Sequence, residues 1–280
     1  MSKQNIANYY DQHNKVDQFI TALQQDKKQI EISNLVGSSL SYVISSAFKK
    51  VESPFLLIFN DKEEAAYYLN DLEQLLGVNN VLFYPGSYRR PYQIEGTDNA
   101  NVLLRAEVLN RINSQKKPAV IVTYPVALFE QVITKSELKR NTLKLNIGEE
   151  LSLDFINEML HEYNFNRVDF VTEPGDFAVR GGIIDVFSFS NDEPYRIEFF
   201  GDEVDSIRTF DIETQLSIDK LKKINIMPNV ENKMLEEKRE SFLKYISSKT
   251  IVFAKDIELL NDKLDKLFTK AEDAFQNLKG

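Results

Sequence analysis

Two histidines, His13 and His161, stand far apart in a chain that has no cysteine. That excludes a thiol nucleophile, a thiolate zinc site and a disulfide framework. A Ser-His-Asp relay needs an imidazole beside its serine, and neither histidine sits in a nucleophile context. A metal centre would have to rest on carboxylates, and each lone histidine reads more simply as surface or helix packing. No catalytic residue and no metal ligand is therefore assigned.

The segment Asn34-Leu35-Val36-Gly37-Ser38-Ser39-Leu40-Ser41 lies where a phosphate-binding loop, GxxxxGK[ST], would lie. Such a loop needs glycines so that backbone N–H groups can curl around phosphate, and a lysine to neutralise its charge. Here Asn34 and Ser39 stand at the glycine positions and Leu40 at the lysine, while Gly37 and the magnesium-side hydroxyl of Ser41 remain. The expectation is a degenerate loop that holds the fold and binds no cofactor; ATP binding is the alternative.

Arginines and tyrosines interleave in Tyr84–Tyr92, where Arg89 and Arg90 offer a nucleic-acid contact by stacking and phosphate pairing. A surface loop whose tyrosines pack on a neighbouring helix fits the same residues. Arg180 lies in the run Phe177–Ser188, read as one strand, and Arg167 lies on the strand before it. Alternation places Phe177, Val179, Ile183, Asp185 and Phe187 on one face of that strand and Arg180 on the other. The double glycine 181–182 suggests a bulge or a close backbone approach. Two arginines on one sheet face suit an acidic partner, since guanidinium forks bind carboxylates bidentately. Bridges from Arg180 to Glu198 or Asp169 within the domain are the competing use. Glu198, Glu203 and Asp205 match an ordinary solvated sheet face.

These segments are positioned by elements of two textures. Up to about residue 130, helices and apolar strands alternate: helix Lys3–Asp26, strand Gln29–Ser33, a helix to Lys50, strand Pro54–Phe59, a helix capped by Asn60-Asp61 and ending at Gly77, strand Asn80–Tyr84, helix Asn99–Ser114 and strand Ala119–Thr123. Strands apolar throughout imply a parallel sheet covered on both faces. After helix Ser152–Tyr163 comes a meander with turns at Glu173–Asp176, Asn191–Pro194 and Gly201-Asp202, the mark of antiparallel hairpins in an α+β domain. From about Gln215 the strand-helix texture returns and ends in a charged helix to Lys279.

The 280 residues carry 34 Lys+Arg against 43 Asp+Glu, a net charge of −9, with 42% hydrophobic residues. That composition excludes a disordered chain, and the acidic balance argues against an autonomous nucleic-acid binder. No apolar run reaches the ~20 residues of a membrane span and no secretory signal is visible, so a cytoplasmic protein with no membrane partner is expected.

The string RVDFVTEPGDFAVRGGIIDVFSFSNDEPYRIEFFGDEVDSIRTFDIETQLS (Arg167–Ser217) strongly resembles the bacterial transcription-repair coupling factor family, Mfd, in the UvrB-homology module that it shares with the excision-repair protein UvrB. NLVGSSLSYVISSAFKK, LGVNNVLFYPGSYRRPY and VIVTYPVALFEQV extend the resemblance over nearly the whole chain. It implies an α/β fold: a degenerate helicase-like, P-loop-like parallel-sheet domain split in sequence (1–127 and 213–280) around an inserted α+β antiparallel-sheet domain (128–212). It implies a phosphate loop lost in this lineage, and too little room in Pro85–Asp98 for the aromatic hairpin with which UvrB grips damaged DNA. The inserted domain is the docking site for UvrA. Arg167 and Arg180 match two arginines of the UvrB docking surface, Ala178 replaces a third, and Phe177 and Phe187 are further members of the partner-binding set. The chain would thus be the non-enzymatic, N-terminal recruitment module of a longer ATP-dependent DNA translocase. ATP and magnesium would belong to the motor, and RNA polymerase and double-stranded DNA would be partners of the parent. A nucleotide-binding helicase half, or a DNA-binding module built on Arg89 and Arg90, are the alternatives.

Overall fold

Pro54 opens the run Phe55–Ile58, four apolar residues that are all buried because helices cover both faces of their sheet. The computed structural model describes residues 3–25, 29–87, 99–113, 117–230 and 238–278. The chain forms two compact units, one from residues 1–86, 114–130 and 246–280, the other from residues 87–113 and 131–245. These units divide the chain at points other than 127/128 and 212/213.

The first unit is built on a parallel sheet in the order Ile251–Ala254, Phe55–Ile58, Val120–Thr123, Val81–Tyr84. Helix Lys62–Leu76 begins where the Asp61 carboxylate accepts the Glu64 N–H at 2.8 Å, and it buries Ala65, Tyr68 and Leu72 on one stripe. The expected helix over Lys3–Asp26 is two helices, Lys3–Asp11 and Asn14–Gln24. His13 separates them in extended conformation, its Nδ1 accepting the Lys15 N–H at 3.2 Å. The expected strand Gln29–Ser33 is not formed. That segment pairs with no strand among the described residues, and Glu31, Ile32 and Ser33 are exposed.

The second unit holds a six-stranded sheet in the order Ser217–Leu221, Glu203–Phe210, Tyr195–Phe200, Ile183–Val186, Asp176–Arg180, Asn166–Arg167. All its pairs are antiparallel except the last. Phe177–Ser188 is therefore not one strand. Gly181-Gly182 is the turn of a hairpin in which Arg180 pairs with Ile183, and Gly181 takes φ +57°. A Cβ at Gly182 would lie 3.1 Å from the carbonyl oxygen of Phe199, so the turn sits close against the next strand. Pairing continues past residue 212: Lys223–Ile226 pairs with Leu143–Asn146, and Arg239–Ser241 with Gln131–Ile133.

Candidate functional site

In the second unit, Arg167 to Phe170 and Ala178 to Arg180 line an open hollow of about 540 Å³. The parallel pairing that forms its floor is held by Asn166 N–H to the Gly175 carbonyl (2.7 Å) and Val168 N–H to the Phe177 carbonyl (2.9 Å). The chain between must loop out and return. Asp176 fixes that return, its Oδ2 accepting N–H bonds from Thr172 (3.2 Å) and Glu173 (3.0 Å). Val171 then drops into a cluster with Ala178, Phe187 and Phe210, against which Val168 packs. Phe170 stays outside, 65% exposed.

The hairpin register sets the electrostatics. Asp185 pairs across the sheet with Ala178 on one side and Arg196 on the other. Its carboxylate, 1% exposed, is forked by Arg196, Nε to Oδ1 at 2.7 Å and Nη2 to Oδ2 at 2.8 Å. Arg180 also donates to Oδ2 of Asp185, and its Nη1 donates to the Asp169 carbonyl at 2.9 Å. The hydrogen bond to Asp185 is the main reason that the Arg196 guanidinium titrates above its usual range. Below Arg196 lies the Phe210 ring, 4.3 Å away, and beside Arg180 the Phe170 ring at 5.5 Å. One carboxylate thus serves two guanidinium groups and leaves a positive charge in excess. Arg196 is 16% exposed and Arg180 41%, so the excess faces solvent at Arg180.

Arg167 is exposed and has no ion pair among the described residues, and it lines the same hollow as Arg180. The competing use of Arg180 in a bridge within the domain is met by Asp185, not by Glu198. Glu198 pairs with Arg208 and accepts the Ser206 hydroxyl at 2.6 Å. Asp169 contributes its carbonyl to Arg180 rather than its carboxylate. Phe177 (0% exposed) and Phe187 (6%) are corrected to core residues: the register puts them on opposite faces, Phe177 meeting the His161 ring edge-on at 5.1 Å and Phe187 in the cluster with Ala178 and Phe210. Phe170 and Asp185 were missed. An apolar residue between Asp169 and Val171 reads as core in sequence, and reading the hairpin as one strand puts Asp185 on the face opposite Arg180.

In the first unit the segment 34–41 is tied to itself and to helix Lys62–Leu76. Asn34 and Gly37 both take positive φ, at +63° and +57°. The Ser39 hydroxyl accepts the Val36 N–H at 2.8 Å and donates to the Val36 carbonyl at 2.7 Å. Ser38 shares a 2.8 Å hydrogen bond with the Tyr67 hydroxyl. Ser41, 1% exposed, donates to Asp71 at 3.1 Å. Arg89 and Arg90 lie outside the described residues. Among the described residues no group of three or more His, Asp or Glu is placed to hold a metal ion, and no helix is long and apolar enough to cross a membrane.

Residues 143–231, which include the whole six-stranded sheet and the hollow, match the family model of the UvrB interaction domain. The transcription-repair-coupling factor of Bacillus subtilis (strain 168) is 30% identical over 245 residues, covering 87% of this chain and 21% of that protein. Its counterpart in Escherichia coli (strain K12) is 27% identical over 198 residues, 70% of this chain and 17% of that protein. The UvrABC system protein B of Thermotoga neapolitana is 26% identical over 240 residues, 81% of this chain and 36% of that protein. The chain therefore spans about a fifth of the length of the coupling factors and about a third of that of UvrABC system protein B. Residues 143–231 thus match a UvrB interaction domain, and the chain as a whole is similar to part of transcription-repair-coupling factors and of UvrABC system protein B.

Proposed function

We propose that the chain is a recruitment module that binds UvrA through the hollow of its UvrB interaction domain, coupling a lesion-stalled RNA polymerase to nucleotide excision repair. The observation that carries this reading is the surplus of positive charge at Arg167 and Arg180 on a chain whose net charge is −9. The Arg180 fork, held by Asp185 and the Asp169 carbonyl, loses little freedom on meeting a carboxylate, which favours affinity. The pair Arg196–Asp185 beneath it is structural: it fixes where the Arg180 fork points.

The first unit is a degenerate helicase-like domain in this reading, and the fragment is not an enzyme and holds no cofactor. What supports this is Leu40 at the lysine position and a loop whose hydroxyls bond to Val36, Tyr67 and Asp71. The parent protein would be an ATP-dependent DNA translocase of the bacterial cytoplasm, with ATP, magnesium, RNA polymerase and double-stranded DNA engaged by segments other than this one. Surface plasmon resonance of the chain over immobilised UvrA tests the proposal. Saturable binding that a sixfold rise in salt weakens is expected for an interface steered by charge, and absence of binding at low salt rejects it.

A further inference from the structure

We propose that Phe170 is the apolar anchor of the docking hollow, so that the UvrA segment it receives carries an apolar side chain flanked by carboxylates. The inference rests on the UvrA-docking reading above and adds the chemistry of what docks. Val168 and Val171 pack into the core cluster of their domain, whereas Phe170 between them stands 65% exposed on the lip of the hollow. The Arg180 guanidinium lies 5.5 Å from the ring centroid, and that guanidinium is itself held by Asp185 and the Asp169 carbonyl. A ring restrained by a fixed cation presents an apolar surface with little rotamer freedom left to lose. The same hollow is lined by Arg167, which has no ion pair among the described residues, by Asp169, and by Arg180, the exposed end of the Arg180–Asp185–Arg196 triad. Binding energy concentrates where aromatic and arginine side chains share a pocket that a partner can dry. Charge complementarity then asks for carboxylates opposite the arginines and for an apolar group on the ring.

The test is titration of UvrA with the 280-residue chain as wild type, F170A, F170L and R167A, at low and at moderate salt. F170A is expected to weaken binding by about tenfold or more with its salt dependence unchanged, and F170L to recover most of the loss. R167A is expected to weaken binding and to flatten the salt dependence, since a charge contact is removed. F170A binding within about twofold of wild type while R167A binds weakly would overturn the anchor and leave the docking reading in place. Wild-type chain that does not bind UvrA at all would overturn the docking reading, and the anchor with it.

Discussion

The loop at residues 34–41 and the hollow of the second unit make opposite use of polar groups. In the loop, hydroxyls and backbone groups bond to one another and to helix Lys62–Leu76, Ser39 to Val36, Ser38 to Tyr67 and Ser41 to Asp71. In the hollow, three guanidinium groups have one buried carboxylate: Asp185 is forked by Arg196 and shares an oxygen with Arg180, and Arg167 has no ion pair among the described residues. A site whose donors are satisfied inside the fold has nothing to offer a ligand. A site with a fixed cation left over is prepared for an anion. The two regions of the chain therefore differ in how much of their polar capacity the fold itself uses.

The largest expected effect comes from breaking the hollow's foundation. Asp185→Ala would leave Arg196, 16% exposed, facing Arg180 with no carboxylate between them. Removing one member of a buried ionic group costs about 3–5 kcal/mol, so urea unfolding should shift by that much. A loss below about 1 kcal/mol would mean that solvent, not Asp185, compensates the arginines.

Next comes the opposite face of the same sheet, where Phe177, Ile184, Tyr195 and Ile197 are buried. Burial pushes the Tyr195 hydroxyl up to about 12, with Asp192 and Glu193 adding to the rise and a bond to Ser190 opposing it. A raised phenol pKa means that the unfolded chain ionises first. The stabilisation is complete below about pH 10 and is lost as pH climbs through about 12, amounting to about 2–3 kcal/mol. The wild-type chain should therefore lose more stability than Tyr195→Phe between pH 9 and 12. Parallel curves would show that this tyrosine ionises as freely folded as unfolded.

On the loop side the expected effects are small. Ser39→Ala removes a hydroxyl that bonds only to neighbouring backbone, at a cost of about 1 kcal/mol or less. Calorimetry with Mg-ATP should give no binding in the micromolar range for the wild-type chain, because Leu40 supplies no charge to the phosphates. Measurable ATP binding would erase the contrast between the two regions.

Local chemistry made much of this architecture readable. Phe55–Ile58 announces a strand covered on both faces by being apolar throughout, and Asp61 announces the start of its helix. What sequence could not supply was pairing over distance. Ile30 and Ile32 alternate like a strand, yet a strand exists only where another lies beside it, and this segment has none among the described residues. Gly181-Gly182 makes the close backbone approach expected of it, to the Phe199 carbonyl, but as a hairpin turn. A Gly-Gly pair is a hairpin signal as well as a bulge signal, and unbroken alternation through it puts Asp185 on the face opposite Arg180, whereas the two-residue turn puts both on one face. Asp185 was thereby separated from Arg180, and the triad that orients the hollow disappeared from view. Arg167 and Arg180 were nonetheless legible as candidates, because charge on a sheet strand is conspicuous wherever the strand turns.

The central claim is that UvrA docks on the hollow through Arg167 and Arg180. Isothermal titration of UvrA with wild type, Arg167→Ala, Arg180→Ala and the double variant tests it most directly, with thermal melts of the same samples and Lys139→Ala as an exposed control. Asp185 stays forked by Arg196 when Arg180 is removed, so both single variants should remain folded. Each is predicted to lose about 2 kcal/mol of binding, at least tenfold in affinity, with the melting temperature of Arg167→Ala unchanged and Lys139→Ala binding as wild type. A double variant that binds UvrA as tightly as the wild-type chain would contradict the account.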